Sequence, residues 1–199
     1  MEKLYNSKEG IFLKKNYNPD KKSTGDCVLR AFSAYLDKEL SYDEIKEKIM
    51  AYGNQSDPTR YKNEFAFGNF ADDVGLVKVK CSKWHNFDLP NINRAINFSK
   101  QFKVGMLCIV NTHMAYVDPK WGLIDTWDSR GKRLEYFYIH RDDALMLGLE
   151  IVEGDFESIK CKQTNDKIFY SLRGNKYVLD MEYGEYQKRE KAKKEKETK

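Results

Sequence analysis

Gly25-Asp26-Cys27-Val28-Leu29-Arg30-Ala31-Phe32-Ser33-Ala34-Tyr35-Leu36 is the stretch around which the rest of the chain is arranged. From Cys27 to Leu36 only Arg30 and Ser33 are plainly polar. A helix here is apolar almost all round, which marks a buried helix and not a surface one. Gly25 and Asp26 predict its start, with Asp26 as the N-cap. Cys27 then falls in the first turn, where unpaired N–H groups and the positive end of the helix dipole converge. That setting favours a thiolate, because a cysteine pKa drops from about 8.5 to roughly 3.5–7.5 at helix N-termini or beside a histidine cation. The plain alternative is a small apolar residue that opens a core helix.

Upstream, residues 1–25 read as an irregular arm with one apolar piece, Gly10-Ile11-Phe12-Leu13, and a turn at Asn18-Pro19-Asp20. Downstream, Ser41-Tyr42-Asp43-Glu44 has the form of a capping box. Ile45, Ile49 and Tyr52 follow at helical spacing, and Gly53 stops the helix. Asp57-Pro58 predicts the start of a third helix running through Phe67, with Gly68 interrupting it.

After Val74 the period changes. Val77, Val79 and Cys81 alternate with Lys78 and Lys80 as in a half-buried strand, and Asn91–Phe102 returns to helical spacing. Val104–Val110 is a continuous apolar run of strand length, which suits the centre of a sheet. His113–Val117, Leu123–Trp127 and Leu134–Ile139 follow as short strands, the first two joined by the turn 118–122. Helices first and strands afterwards predict an α+β domain in which a buried helix packs on an antiparallel sheet. That domain spans 1–150, with an extension at 151–186 (one or two strands in 151–171, helix-prone from Glu182) and a charged disordered tail at 187–199.

The 33% of charged residues predicts a very wet surface, and the net charge of +4 has a telling distribution. Gln187–Lys199 carries seven Lys/Arg against three Glu, whereas residues 1–186 hold 28 of each sign. The basic character therefore belongs to the tail, which would attract polyanions only weakly; a specific nucleic-acid surface is not indicated. Cys27, Cys81, Cys108 and Cys161 lie far apart without paired spacing, the usage of a reducing cytoplasm and not of a disulfide framework. No leader and no apolar run near ~20 residues appears, so a soluble cytoplasmic protein without membrane association is expected.

Of the three histidines, His85, His113 and His140, it is His113 that opens a strand just after the most apolar one, with Asp125 and Asp128 following. A cysteine at a helix start, a histidine at a strand start and a carboxylate on the next strand suit nucleophilic acyl transfer. The imidazole takes the thiol proton and the carboxylate orients the ring. A lone strand histidine is otherwise a structural residue.

Gly-Asp-Cys27 before a long apolar helix, then His113-Met-Ala-Tyr-Val, then Leu-Ile-Asp125-Thr126-Trp127 resembles the papain-like cysteine peptidase superfamily in chain order. The resemblance covers about Lys22 to Asp128 and extends to small bacterial and bacteriophage proteins of this layout. It implies a papain-like fold and a thiol hydrolase acting on a peptide or isopeptide bond of a protein or peptide substrate, without cofactor or metal. Asp125-Thr126-Trp127 stands where papain-type enzymes carry Asn-Ser-Trp, which implies that Trp127 shields the histidine pair. Those enzymes have an oxyanion-hole glutamine six residues before the cysteine; Lys21 stands there in this chain, and Asn18 is the nearest upstream amide. Asn18 as a turn former is the competing reading.

Two alternatives share the site: an acyltransferase or transglutaminase-like enzyme with the same triad, and an inactive binding module. Oligomeric state is left open. Cys81-x-x-x-His85 sketches half a zinc site, but no second ligand pair accompanies it. Arg30, one turn below Cys27, suits either a substrate carboxylate or a buried acidic group. Trp84, Trp121 and Trp127 read as packing residues. A three-residue loop at Asp118–Lys120 would put Val117 opposite Trp121 and His113 opposite Asp125. An even loop ending on Gly122 would put His113 opposite Asp128. The Asp-Thr-Trp likeness selects Asp125.

Overall fold

The computed structural model describes residues 3–7, 10–22, 24–37, 39–81, 89–152, 163–164, 170–173, 176–179 and 196. Trp84, His85, Cys161 and, apart from Lys196, the tail 187–199 lie outside the described residues.

The chain opens with an antiparallel hairpin, β1 (Lys3–Ser7) and β2 (Gly10–Lys14), with Tyr5 stacked on Phe12 at 5.4 Å between ring centroids. The expected irregular arm is thus corrected. The reason is non-local: β2 runs parallel to β6 (Gly122–Asp125), pairing Phe12 with Leu123, a partner no local pattern reveals.

In α1 (Cys27–Tyr35) every residue from Val28 to Ala34 is buried, as its all-round apolarity requires. The Asp26 side chain makes no cap hydrogen bond, against expectation, because it is occupied elsewhere. The capping box at α2 (Tyr42–Met50) is present in full: Ser41 accepts from the Glu44 N–H and Glu44 accepts from the Ser41 N–H. Ile45 and Ile49 are its buried stripe. The third helix starts later than the Asp57-Pro58 signal implies. Asp57 instead holds a turn by accepting from Thr59 N–H at 2.8 Å, and a 3-10 turn covers Arg60–Lys62. Asn63 then caps α3 (Glu64–Asp73), and Gly68 is buried inside it rather than ending it.

β3 (Leu76–Lys80), α4 (Ile92–Phe102), β4 (Met106–Val110), β5 (His113–Asp118), β7 (Tyr136–His140) and α5 (Arg141–Met146) complete the main body. Among the described residues, β8 (Ile151–Val152) and β9 (Gln163–Thr164) extend one sheet ordered β1-β2-β6-β5-β4-β7-β3-β9-β8. Its pairings are antiparallel except β2–β6 and β3–β9. β4 is central, and both its faces are covered. Met106, Cys108 and Val110 join the core under α4, while Leu107 and Ile109 join the core under α1, α2 and α3. Double coverage is why the run lacks alternation. The domain is α+β, with helices on both faces of a mostly antiparallel sheet. A second hairpin, β10 (Tyr170–Arg173) and β11 (Lys176–Leu179), docks on α4, with Tyr170 and Tyr177 edge-on to Phe98. No helix among the described residues is long and apolar enough to cross a membrane.

The loop between β5 and β6 fixes the histidine's partner. Asp118 pairs with Gly122, Val117 with Leu123 and Tyr116 with Ile124, leaving a three-residue loop at 119–121. The loop has the expected odd length but sits one residue later than Asp118–Lys120, so the register moves by two and every side chain keeps its face. Carried on, this register puts Ala115 opposite Asp125 and His113 opposite Trp127. Asp125 is thus a diagonal neighbour of His113 on the same face. Gly122 closes the loop at φ +70°, and a Cβ there would lie 2.3 Å from the Ile11 carbonyl oxygen, so only glycine fits.

Candidate active site

Three elements converge at one end of the sheet: the N-terminus of α1, the start of β5 and the end of β6. They bring together Cys27, His113 and Asp125. His113 Nε2 and Asp125 Oδ2 are 2.6 Å apart, with the carboxylate almost wholly buried. Nε2 being taken, Nδ1 is the nitrogen left for the Cys27 sulfur, and the ring lowers the thiol's pKa. The sulfur also lies 3.9 Å from the Thr112 carbonyl oxygen, in the tight β4–β5 turn where Asn111 adopts φ +56°.

The electrostatics follow. Burial pushes the Cys27 thiol up, but the His113 ring, the Met114 backbone N–H, the ring's charge and Arg30 together bring it below the ordinary value. Burial pulls the His113 imidazolium down, yet the hydrogen bonds to Asp125 and Cys27 and their charges raise it to about 9. With the thiol lowered and the imidazole raised, the shared proton is shifted toward the ring, the sense that favours thiolate with imidazolium. Cys81 and Cys108 differ: complete burial drives both thiols far above their usual range.

The carboxylate is itself held. Asp125 Oδ1 accepts from the Thr126 N–H at 2.7 Å and Oδ2 from Ser129 Oγ at 3.1 Å. Ser129 is fully buried and was not singled out from sequence; its spacing of four from Asp125, just past a strand end, was the available signal. Trp127 packs on His113 with centroids 5.0 Å apart and covers one side of the ring. Asp128 is not brought to the histidine. Its carboxylate receives Arg130 Nε at 2.8 Å and Nη2 at 2.6 Å, and that guanidinium holds its pKa below the usual range.

Asn18 is corrected as an oxyanion donor. Its buried amide donates to Asp26 Oδ2 at 2.6 Å and to the Tyr42 hydroxyl at 3.2 Å, so neither hydrogen faces the cleft. Asp26 also receives Tyr42 Oη at 2.7 Å and pairs with Arg30 one helical turn on. Arg30 thus anchors a buried acid, the second of its two sequence readings. This Asn18–Asp26–Arg30–Tyr42 cluster straps the incoming loop to the helix start directly beneath the thiol.

Two cavities lie on this side of the sheet, and Cys27 itself lines neither. One of about 400 Å³ is walled by Val28, Lys62, Phe67, Ile109, His113 and Met114. The other, about 460 Å³, is walled by aromatic rings including Tyr17, Tyr35, Tyr116 and Trp121. A narrow slot past Cys27, Ala34 and Asp125 connects toward it along α1. The described residues contain no group of three or more His, Cys, Asp or Glu able to hold a metal ion. No known family model matches this chain, and no curated protein or solved structure matches it either.

Proposed function

We propose that the chain is a papain-like thiol hydrolase that cleaves a peptide or isopeptide bond, with Cys27 as nucleophile, His113 as general base then acid, and Asp125 orienting His113. The observation that carries this reading is the convergence of Cys27, His113 and Asp125, with His113 bonded to Asp125 at 2.6 Å, the thiol depressed by the ring and the imidazole raised. The use of Nε2 for the carboxylate and the Trp127 cover support the likeness to papain-type sites. The cavity of about 400 Å³ beside His113 supports room for a substrate group next to the reacting bond. A free thiolate of this kind suits a reducing, cytoplasmic setting.

In the reaction the thiolate adds to the acyl carbon and the imidazolium protonates the leaving nitrogen. The neutral imidazole then takes a proton from the water that releases the acyl group. The test is alkylation by iodoacetamide near pH 6, followed by peptide mapping. Cys27 labels well ahead of Cys81, Cys108 and Cys161; equal labelling of all four would remove the basis of the proposal.

The carboxylate assignment is checked by substitution. Asp125→Ala lowers the rate by about 10² or more, since a triad without its acid loses the imidazole orientation. Asp125→Asn costs less, because an amide still orients the ring, and Asp128→Ala costs under roughly tenfold. A crippled Asp128→Ala beside a mild Asp125→Ala would reverse the assignment.

The pH dependence has a definite sign. The competent state is thiolate with imidazolium, so activity rises as pH climbs through the lowered Cys27 value and falls as it climbs through about 9 at His113. Asp125→Ala removes the interaction that raises His113, so the alkaline limb moves to lower pH. A wild-type alkaline limb near the ordinary imidazole value of about 6.5 would contradict the paired state.

A further inference from the structure

A tetrahedral intermediate on Cys27 needs hydrogen-bond donors for its oxyanion, and with Asn18 turned away only the Cys27 N–H is evident. We propose that the Lys62 ammonium is the second donor, an inference that rests on the hydrolase reading above. Lys62 lies on the 3-10 turn before α3, and it lines the 400 Å³ cavity together with Val28 and His113. Its Nζ lies 3.8 Å from where a Cβ on Gly25 would be, so it overhangs the backbone two residues before the thiol. Gly25, at φ +86° and without a side chain, leaves that approach open.

The turn is fixed against the helix start: Tyr61 Oη donates to the Gly25 carbonyl at 3.1 Å. Among the described residues the ammonium forms no hydrogen bond or ion pair; it stands 5.7 Å from the Tyr61 ring and acts on the exposed Asp57 carboxylate only through its field. An unpaired cation beside the positive end of a helix is unfavourable on its own. The same arrangement becomes favourable once an anion forms between the two. Nor is Lys62 among the groups that depress the thiol, a part played by His113, the Met114 backbone N–H and Arg30.

In the step itself Cys27 Sγ bonds to the acyl carbon and the C=O π pair moves onto oxygen. That oxygen accepts from the Cys27 N–H and from Lys62 Nζ. On collapse the pair returns, the bond to the leaving group breaks, and the His113 proton goes to a leaving nitrogen.

Two probes separate this role from any effect on the sulfur. p-Nitrophenyl acetate acylates Cys27 through an oxyanion, whereas iodoacetamide alkylates it by direct displacement with none. Lys62→Met is expected to slow acylation by ~10²–10³, the loss typical of one oxyanion donor. Lys62→Gln restores much of that rate, and both variants alkylate at Cys27 as fast as the wild type. Lys62 is exposed, and unchanged selective alkylation shows that the variants keep the folded site. Wild-type acylation by Lys62→Met, with selective alkylation retained, overturns the inference and leaves the hydrolase reading standing. A parallel loss with both probes also overturns it, because Lys62 would then act through the thiolate. A wild-type protein whose Cys27 neither alkylates selectively nor acylates removes both proposals.

Discussion

On the proposed thiol-hydrolase reading, Cys27→Ala is expected to abolish cleavage of a quenched fluorescent peptide pool, with kcat/KM falling by ~10⁴–10⁶ as for other nucleophile knockouts. The fold survives the change. Cys27 is only half-buried at the first position of α1, and alanine is the best helix former, so circular dichroism and Tm remain close to wild type. The contrast between lost activity and kept structure is the diagnostic result. Residual activity within tenfold of wild type would show that the chemistry lies elsewhere.

Arg30→Met is expected to have the largest effect on stability. Arg30 and Asp26 each have a side chain only 7% exposed, so the substitution strands a buried carboxylate. Removing one partner of such a pair costs about 3–5 kcal/mol. At about 2–4 °C per kcal/mol for a chain of this size, Tm falls by about 6–20 °C. Asn18 and Tyr42 still donate to Asp26 and place the loss toward the lower end. Asp26→Asn combined with Arg30→Met recovers part of it, since no charge then remains buried. Urea melts of the four proteins measure the coupling; an Arg30→Met single variant within about 1 kcal/mol of wild type would show that the pair contributes little. Arg30 also helps to depress the Cys27 thiol, so the acid limb of the variant's pH profile moves upward.

The sequence carried those parts of the site that depend on local pattern. An apolar run behind Gly-Asp-Cys required a buried helix, and Ser41 with Glu44 defined a cap that is present atom for atom. The apolar run of β4 marked the sheet's centre. What escaped depends on distant partners. Lys3–Lys14 is too short to show a period, and its strand character comes from β6. Asn18 has the look of a turn former and does bond the Asp20 N–H, but its amide is claimed by Asp26 and Tyr42. The loop left Asp125 and Asp128 both open, and the Asp-Thr-Trp likeness chose between them. The observed odd loop, one residue later than expected, keeps Asp125 on the histidine's face because parity alone decides the face.

The parallel pairing of β2 with β6 has a consequence for synthesis on the ribosome. The backbone N–H of Lys15 donates to the Asp125 carbonyl at 2.9 Å, so β6 is joined on one side by a strand translated well before it. At 5–20 residues per second, Phe12 waits roughly 5–20 s after emerging before Leu123 exists to receive it. During that interval the Cys27 segment is already outside without its histidine or carboxylate. Both β2 and β5 pair with β6, so the nascent Cys27 segment lacks its full set of neighbours until β6 has emerged.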